Sequence, residues 1–399
     1  MELILFNIYV VALILIDVKN YKKNITPLSI VGLVYLVLID LNNLVITNVY
    51  GFYQLEPEVL FFLSIFFTII WSIDMLFGYL YRHQKSVANE CILWFKNYRV
   101  IFILFGVGCG AYFLQFVRLY AKYGLEIKGM NDGILGHLSS FAFILGPLCL
   151  HLAIHSKRKA RIFVSFSMNI LVTLISVLFG GKYVILINLT YLLLFFLLQR
   201  GKKINIGKLV RFGVVLLVVV CIIFFAIYYI TPRVTGRYQS SFDFVIHHMF
   251  TYLLGPITAN NDTMLNPAVA DGRIPYTVLI NIFKSLVGNN DYVVPIYPFT
   301  FNVYPGYLTN VSGIFGELIY CSGYMLPMLY VTVLFFFINA VSLCYRTKGK
   351  MYLTFCYLHA ILPYLFFCNF FSVSGVVLPL LLSVFFDVFS NFRIGRFHI

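Results

Sequence analysis

Arg233 and Arg237 follow a long apolar run and stand four residues apart, so on a helix they share one face. Two planar guanidinium forks placed that way hold a diphosphate bidentately, although interfacial arginines resting on lipid headgroups have the same spacing. Lys182 lies in Phe179-Gly180-Gly181-Lys182-Tyr183, between two apolar runs. The paired glycines let the backbone turn sharply and bring an anionic ligand close to the ammonium; a lysine snorkelling from a helix end has similar surroundings. Asp243 precedes His247 by four residues, the spacing at which a carboxylate orients an imidazole for general-base work, and His248 follows directly. A wetted helix face accounts for the same three residues without chemistry. A fourth group runs from Asn302, Tyr304 and Tyr307 through Thr309 and Asn310 to Glu317 and Tyr324. Hydroxyls, amides and aromatic faces interleaved with glycine suit a sugar-binding rim, and a glutamate entering an apolar segment is costly unless it is paired or used.

These groups must be positioned by a chain that is far too apolar to be a soluble domain. Hydrophobic residues make up 61% of it, charged ones 11%, and the mean hydropathy is +0.90. Apolar runs near 3–18, 27–46, 59–81, 100–117, 134–154, 162–179, 183–198, 212–231, 318–344, 351–371 and 375–390 predict about eleven transmembrane helices, since lipid leaves the backbone no other way to satisfy its polar groups. Pro147, Pro327, Pro363 and Pro379 fall inside these runs and predict kinks or breaks. Asp74 and Asp387, deeper in their runs, read as helix-packing polar groups. The first run reads as a span and not as a cleavable signal, because Glu2 precedes it and Lys19, Lys22 and Lys23 follow it.

The formal charge of +14 at pH 7 is explained by topology and implies no nucleic acid as partner. The connections holding Lys19 to Lys23, Arg82 to Arg99, Lys157 to Arg161, Arg200 to Arg211, Arg346 to Lys350 and the tail arginines carry 21 of the 29 basic residues on one side. That side is cytoplasmic by the positive-inside rule, which puts the N-terminus outside and the C-terminus inside. The long polar stretch from Thr231 to Val311 then faces out. The expected organisation is eight transmembrane helices over 1–231, a large periplasmic loop over 232–312, and three more helices over 313–399. The loop's many prolines predict short helices and turns packed on the membrane face.

No nucleotide loop, dinucleotide fingerprint, zincin or nucleophile elbow is present, and the loop's acids are too widely spaced to predict a metal. The eight cysteines are scattered singly through apolar segments, as small packed side chains.

With its many spans, one large late loop, a Gly-Gly-Lys turn, and a Thr-Asn-Val stretch leading to Phe-Gly and then Gly-Tyr, the chain resembles the bacterial O-antigen or oligosaccharide repeat-unit polymerases, the Wzy family. The likeness covers most of the chain in layout and residues 178–184 and 300–325 in sequence. It implies an all-α, GT-C-like, metal-independent glycosyltransferase of the bacterial inner membrane, working without a cofactor in lipopolysaccharide biosynthesis. Donor and acceptor would be undecaprenyl-diphosphate-linked oligosaccharides, with membrane lipid around them and room for a chain-length regulator protein as partner. An O-antigen ligase shares the chemistry and a large periplasmic loop; a polysaccharide flippase or other transporter would instead have short loops and a polar central path. The charge asymmetry carries a direct expectation: a reporter fused after Asp271 is active only if it requires the periplasm, and activity of a cytoplasmic reporter at that point would overturn the topology.

Overall fold

A computed structural model of the chain describes residues 1–21, 24–83, 98–124, 133–179, 182–199, 242–268, 271–288, 300–305 and 307–389, with a few isolated positions and two short tail strands. Almost every element is helical: α1 (Glu2–Asn20), α2 (Pro27–Asp40), α3 (Thr47–Tyr50), α4 (Pro57–His83), α5 (Tyr98–Tyr123), α6 (Gly133–His155), α7 (Lys159–Leu178), α8 (Lys182–Gln199), α9 (Phe242–Thr258), α10 (Asn260–Leu265), α11 (Thr277–Leu286), α12 (Ile314–Ser322), α13 (Met325–Lys348), α14 (Tyr352–Ile361) and α15 (Ser374–Phe389). A hairpin of β1 (Phe301–Tyr304) and β2 (Tyr307–Thr309) lies between α11 and α12. Among the described residues six helices are long and apolar enough to cross a bilayer: Pro27–Tyr50, Pro57–His83, Arg99–Tyr123, Gly133–His155, Lys159–Ser176 and Met325–Lys348. The chain is thus an all-α, multi-pass membrane protein in class, while the eighth run expected from hydropathy, 212–231, lies almost wholly outside the described residues.

Two expected spans differ in detail. The run 318–344 is divided, because Gly323 with φ 72° ends α12 and α13 starts afresh at Met325. The run 351–371 is helical only to Ile361, where the 3₁₀ turn Leu362–Tyr364 contains Pro363 and a second such turn spans Phe370–Ser372. Pro147 and Pro379, in contrast, sit within continuous helices, and Pro327 occupies the first turn of α13, where its missing N–H costs no hydrogen bond.

The chain forms two compact units. One comprises Met1–Gln84, Ile204–Ala340 and Leu362–Val373. In it the N-terminus of α2 is specified by Thr26, whose hydroxyl accepts from Ser29 N, with Pro27 at the first helical position. Leu28 N–H, one of the donors such a terminus leaves over, is taken at 2.9 Å by Asp74 Oδ2 from α4. The other oxygen of Asp74 accepts from Asn339 Nδ2 of α13 at 2.5 Å, and Asn339 Oδ1 accepts from the Tyr21 hydroxyl at 2.9 Å. Two turns further along α4, Arg82 donates to the carbonyls of Asn20 and Lys19 at the end of α1.

The other unit holds Lys85–Lys203, Val341–Ile361 and Ser374–Ile399. Gly108 lets α5 approach α6 closely, since a Cβ there would lie 2.5 Å from Ala142 N. Asp387 of α15 caps α14, accepting from Leu353 N at 3.2 Å, Thr354 N at 2.8 Å and the Thr354 hydroxyl at 2.7 Å. The sequence reading of Asp74 and Asp387 as packing groups therefore acquires a specific content. Asp387→Ala strands three donors in a dry interior and is expected to cost about 2 kcal/mol or more; Asp387→Asn, which retains one acceptor oxygen, is expected to cost less. Thermal unfolding in detergent measures both.

Candidate functional site

The described part of the long polar segment builds a cluster inside the first unit, and its foundation is the end of α2. There the helix widens into a π-helical stretch, Leu41–Ile46, before α3. Insertions of this type displace side chains from the regular ladder and recur at functional sites. Buried Asn42 and Asn43 meet the chain after α3: Asn42 Nδ2 donates to Tyr53 O at 2.9 Å, and Asn43 Oδ1 accepts from Leu55 N at 3.2 Å. Gly51, at φ 72°, makes the turn that sends residues 51–56 back across the helix end.

The hairpin docks on this extended segment. Tyr53 N–H donates to Val303 O at 3.0 Å, so 51–56 runs beside β1. The short helix α10 fastens the same elements from the other edge. Asn261 Oδ1 accepts from Glu56 N at 3.0 Å, its Nδ2 donates to Gln54 O at 2.7 Å, and Asp262 Oδ2 accepts from Asn302 N at 2.9 Å. Gly255 of α9 allows the hairpin to approach, with a Cβ there 3.3 Å from Val303 and 3.4 Å from Thr309.

This framework stacks three rings. Phe52, 1% exposed, lies under Tyr304, 6% exposed, with centroids 4.7 Å apart at 19°. Tyr307, 47% exposed, covers the Tyr304 ring at 4.3 Å and 23°. The Tyr304 hydroxyl lies 2.9 Å from His247 Nδ1, and the His247 ring stands edge-on to Tyr50 at 4.7 Å. Thr251 donates to His247 O at 2.9 Å and also reaches the Tyr304 hydroxyl. Burial pushes the Tyr304 phenol up to about 12, so it keeps its proton at neutral pH. The sign is that of an acid raised on folding: its contribution to stability is complete below about pH 10 and disappears as the pH rises through about 12. The imidazole is thereby fixed at one nitrogen, with its second nitrogen left to define what else the ring does.

The candidates named from sequence separate into groups. His247, Tyr304 and Tyr307 come together, with Asn302 and Asn310 exposed on the hairpin and Thr309 buried beneath it. His248 belongs to another face, stacked on Phe244 at 5.6 Å and near Tyr252. Asp243 is exposed in the first turn of α9, and among the described residues no hydrogen bond joins it to His247. The partner that orients the imidazole is Tyr304, 57 residues away, and not the carboxylate one turn earlier. Glu317 is buried and accepts from Asn369 N at 2.9 Å, where the chain has left helix. Tyr324 donates to Met264 O at 3.1 Å and stacks on Phe62, joining the start of α13 to α10 and α4. Lys182 is the first residue of α8, its side chain outside the described part, as are Arg233 and Arg237 entirely. Among the described residues no three His, Cys, Asp or Glu side chains gather as metal ligands.

Sequence reasoning passed over Tyr50, Phe52 and Asn261. Nothing nearby in the sequence marks them, because their importance comes from segments about 200 residues distant or more. No protein-family model, curated protein or solved structure matches the chain.

Phe52 is the support of the whole column. Phe52→Ala is expected to cost about 3–5 kcal/mol and to loosen the hairpin, with faster backbone hydrogen exchange over 301–309 than in the parent chain. Phe52→Leu keeps most of the volume and is expected to leave exchange there much closer to normal.

Proposed function

We propose that the chain is a glycosyltransferase of the repeat-unit polymerase type, joining oligosaccharides carried on undecaprenyl diphosphate at the periplasmic face of the bacterial inner membrane. The observation that carries this reading is the His247–Tyr304 pair at 2.9 Å beside the half-exposed ring of Tyr307, in a chain built of membrane helices. A transporter has no comparable need for an imidazole fixed beside such a ring. The sequence adds Arg233, Arg237 and Lys182, cations suited to a diphosphate.

In the proposed reaction a hydroxyl oxygen of the acceptor glycan attacks the anomeric carbon of the donor. The new glycosidic bond forms as the bond to the lipid diphosphate breaks, and the diphosphate leaves with the bonding electrons. His247 takes the hydroxyl proton at Nε2. This requires Nδ1 to carry hydrogen and donate to the Tyr304 oxygen, whose own proton turns toward Thr251. Tyr304 is thus a positioning residue, and its ordinary protonated state leaves an oxygen lone pair available to Nδ1. The departing charge is assigned to the cations Arg233, Arg237 and Lys182 of the sequence, since electrostatic stabilisation of a leaving diphosphate calls for positive groups.

Purified protein with defined lipid-linked repeat units tests this. Longer glycans are expected from the parent chain, and His247→Ala is expected to lower turnover at saturating substrate by about a hundredfold. Tyr304→Phe is expected to lower it less and to displace the pH profile, because the ring remains while its hydrogen bond is lost. Arg→Lys at 233 or 237 is expected to be poorly tolerated, since lysine retains charge without the planar fork. Absence of chain extension by well-folded parent protein, or unchanged turnover in His247→Ala, overturns the reading.

A further inference from the structure

Helix α11 is turned inside out relative to a helix that lies in water. Leu279, Phe283 and Val287, each four residues from the next, are 58%, 67% and 61% exposed and form one stripe along the helix and the turn that continues it through Val287 N to Phe283 O. Its polar side chains are engaged by the chain instead. Thr277 is buried and donates to Ile274 O at 2.6 Å. Asn281 Nδ2 donates to Val293 O and its Oδ1 accepts from Val293 N, both at 2.8 Å, and the Lys284 ammonium bonds the carbonyl and the carboxylate of Asp291. At about 100° per residue Asn281 stands nearly opposite Phe283, so Val293 lies against one side of α11 and the apolar stripe occupies the other. On the polar side the Asp291 side chain is 86% exposed.

What covers the stripe follows from where α11 starts. A Cβ on Gly272 would lie 3.8 Å from Ser322 at the end of α12, and Tyr276 meets Tyr330 of α13 edge to face, with ring centres 5.3 Å apart. The segment from Gly272 to Tyr276 thus descends along α13, and α11 sets out from a level about 7.5 Å inside that helix at 1.5 Å per residue. Helix α13 is one of those long and apolar enough to cross the bilayer. Leu326, Val333 and Phe337 share the face of Tyr330 by their spacing and are left 48%, 62% and 39% exposed, so the lipid-facing surface of α13 adjoins the point at which α11 departs. Ten residues of helix, about 15 Å, cannot cross the hydrocarbon. A short helix at that level, apolar on one side and with a water-exposed carboxylate beyond the other, has the layering of the acyl–headgroup boundary. A second copy is the poorer cover, since a stable protein interface takes about 800 Å² from each partner and three side chains supply far less.

We propose that α11 is an interfacial helix that inserts Leu279, Phe283 and Val287 among the acyl chains of the leaflet in which α13 begins. This lipid contact is independent of the glycosyltransferase reading, because it holds the polar segment to the membrane whatever that segment acts on.

Phe283→Trp and Asp291→Trp, made separately in the full-length protein and placed in phosphatidylcholine nanodiscs, read the two sides of the helix. Difference emission against the parent chain removes the signal of Trp71 and Trp94. The added emission of Phe283→Trp is expected to be blue-shifted and to lose most of its intensity when the lipid carries bromines near the headgroup end of its acyl chains. Bromines near the methyl end are expected to quench it less, and aqueous acrylamide hardly at all. Asp291→Trp is expected to show the reverse, quenching by acrylamide and none by brominated lipid. Acrylamide quenching of Phe283→Trp without bromine quenching places the stripe in water and overturns the proposal. Protection from both quenchers assigns the face to protein, a second copy included, and also overturns it. Stronger quenching by the deeper bromines removes the interfacial position, and bromine quenching of Asp291→Trp removes the two-sided arrangement. Leu279→Trp, on the same stripe, is read in the same way if Phe283→Trp does not fold.

Discussion

A helix that begins inside a membrane protein leaves N–H groups with no water to receive them, and each such group must find an acceptor within the protein. This chain meets the requirement with buried acids on neighbouring elements. Asp74 of α4 receives the start of α2, and Asp387 of α15 receives the start of α14. Glu317 of α12 receives Asn369 N, where a 3₁₀ turn resumes after a break. In each case a carboxyl oxygen accepts from a backbone N–H that the helix or turn itself cannot satisfy. On α4 the principle is doubled, for Arg82 receives the carbonyl end of α1 as Asp74 receives the amide end of α2. One helix thereby fixes where the first connection turns. That turn sets where α2 runs and ends, and the end of α2 carries the platform on which the hairpin rests.

The platform explains why the polar segment is no independent domain. Its hairpin has two short strands, far too few to be stable alone, and its third neighbour is the extended chain between α3 and α4. Its second edge is held by α10 through Asn261 and Asp262. The imidazole of His247 is consequently positioned by groups from two other parts of the chain: Tyr304 from the hairpin and Tyr50 from the end of α3.

Several of these relations were legible in the sequence. Apolar runs and the distribution of lysine and arginine mark the class, and the prolines mark Pro363 as a breaking point, while Pro147 and Pro379 show that proline alone does not decide. Asp74, Asp387 and Glu317 declare themselves because an acid in an apolar run needs a partner; the identity of the partner does not follow from the run. The imidazole misleads more. Asp243 at four residues from His247 is the local solution, and local spacing is all that a single sequence exposes. The hydrogen bond goes instead to Tyr304, a phenol among 29 tyrosines. Phe52 carries no signal at all, since an isolated phenylalanine in a short connection is ordinary until a ring from residue 304 lies upon it.

The bonds from Glu56 and Gln54 to Asn261 span 205 and 207 residues. At ordinary rates of synthesis, about 5–20 residues per second, the first half of that contact waits roughly 10–40 seconds for the second. During this interval α2 and α4 are already made, while Phe52 lacks the ring that later lies on it and Tyr53 N, Gln54 O and Glu56 N lack their later partners. A chain interrupted before the hairpin therefore retains many of its membrane helices and still displays an aromatic ring and unpaired backbone groups at the end of α2. Incomplete copies differ from finished ones at that small patch, which gives cellular quality control a local surface to recognise in an otherwise inserted protein.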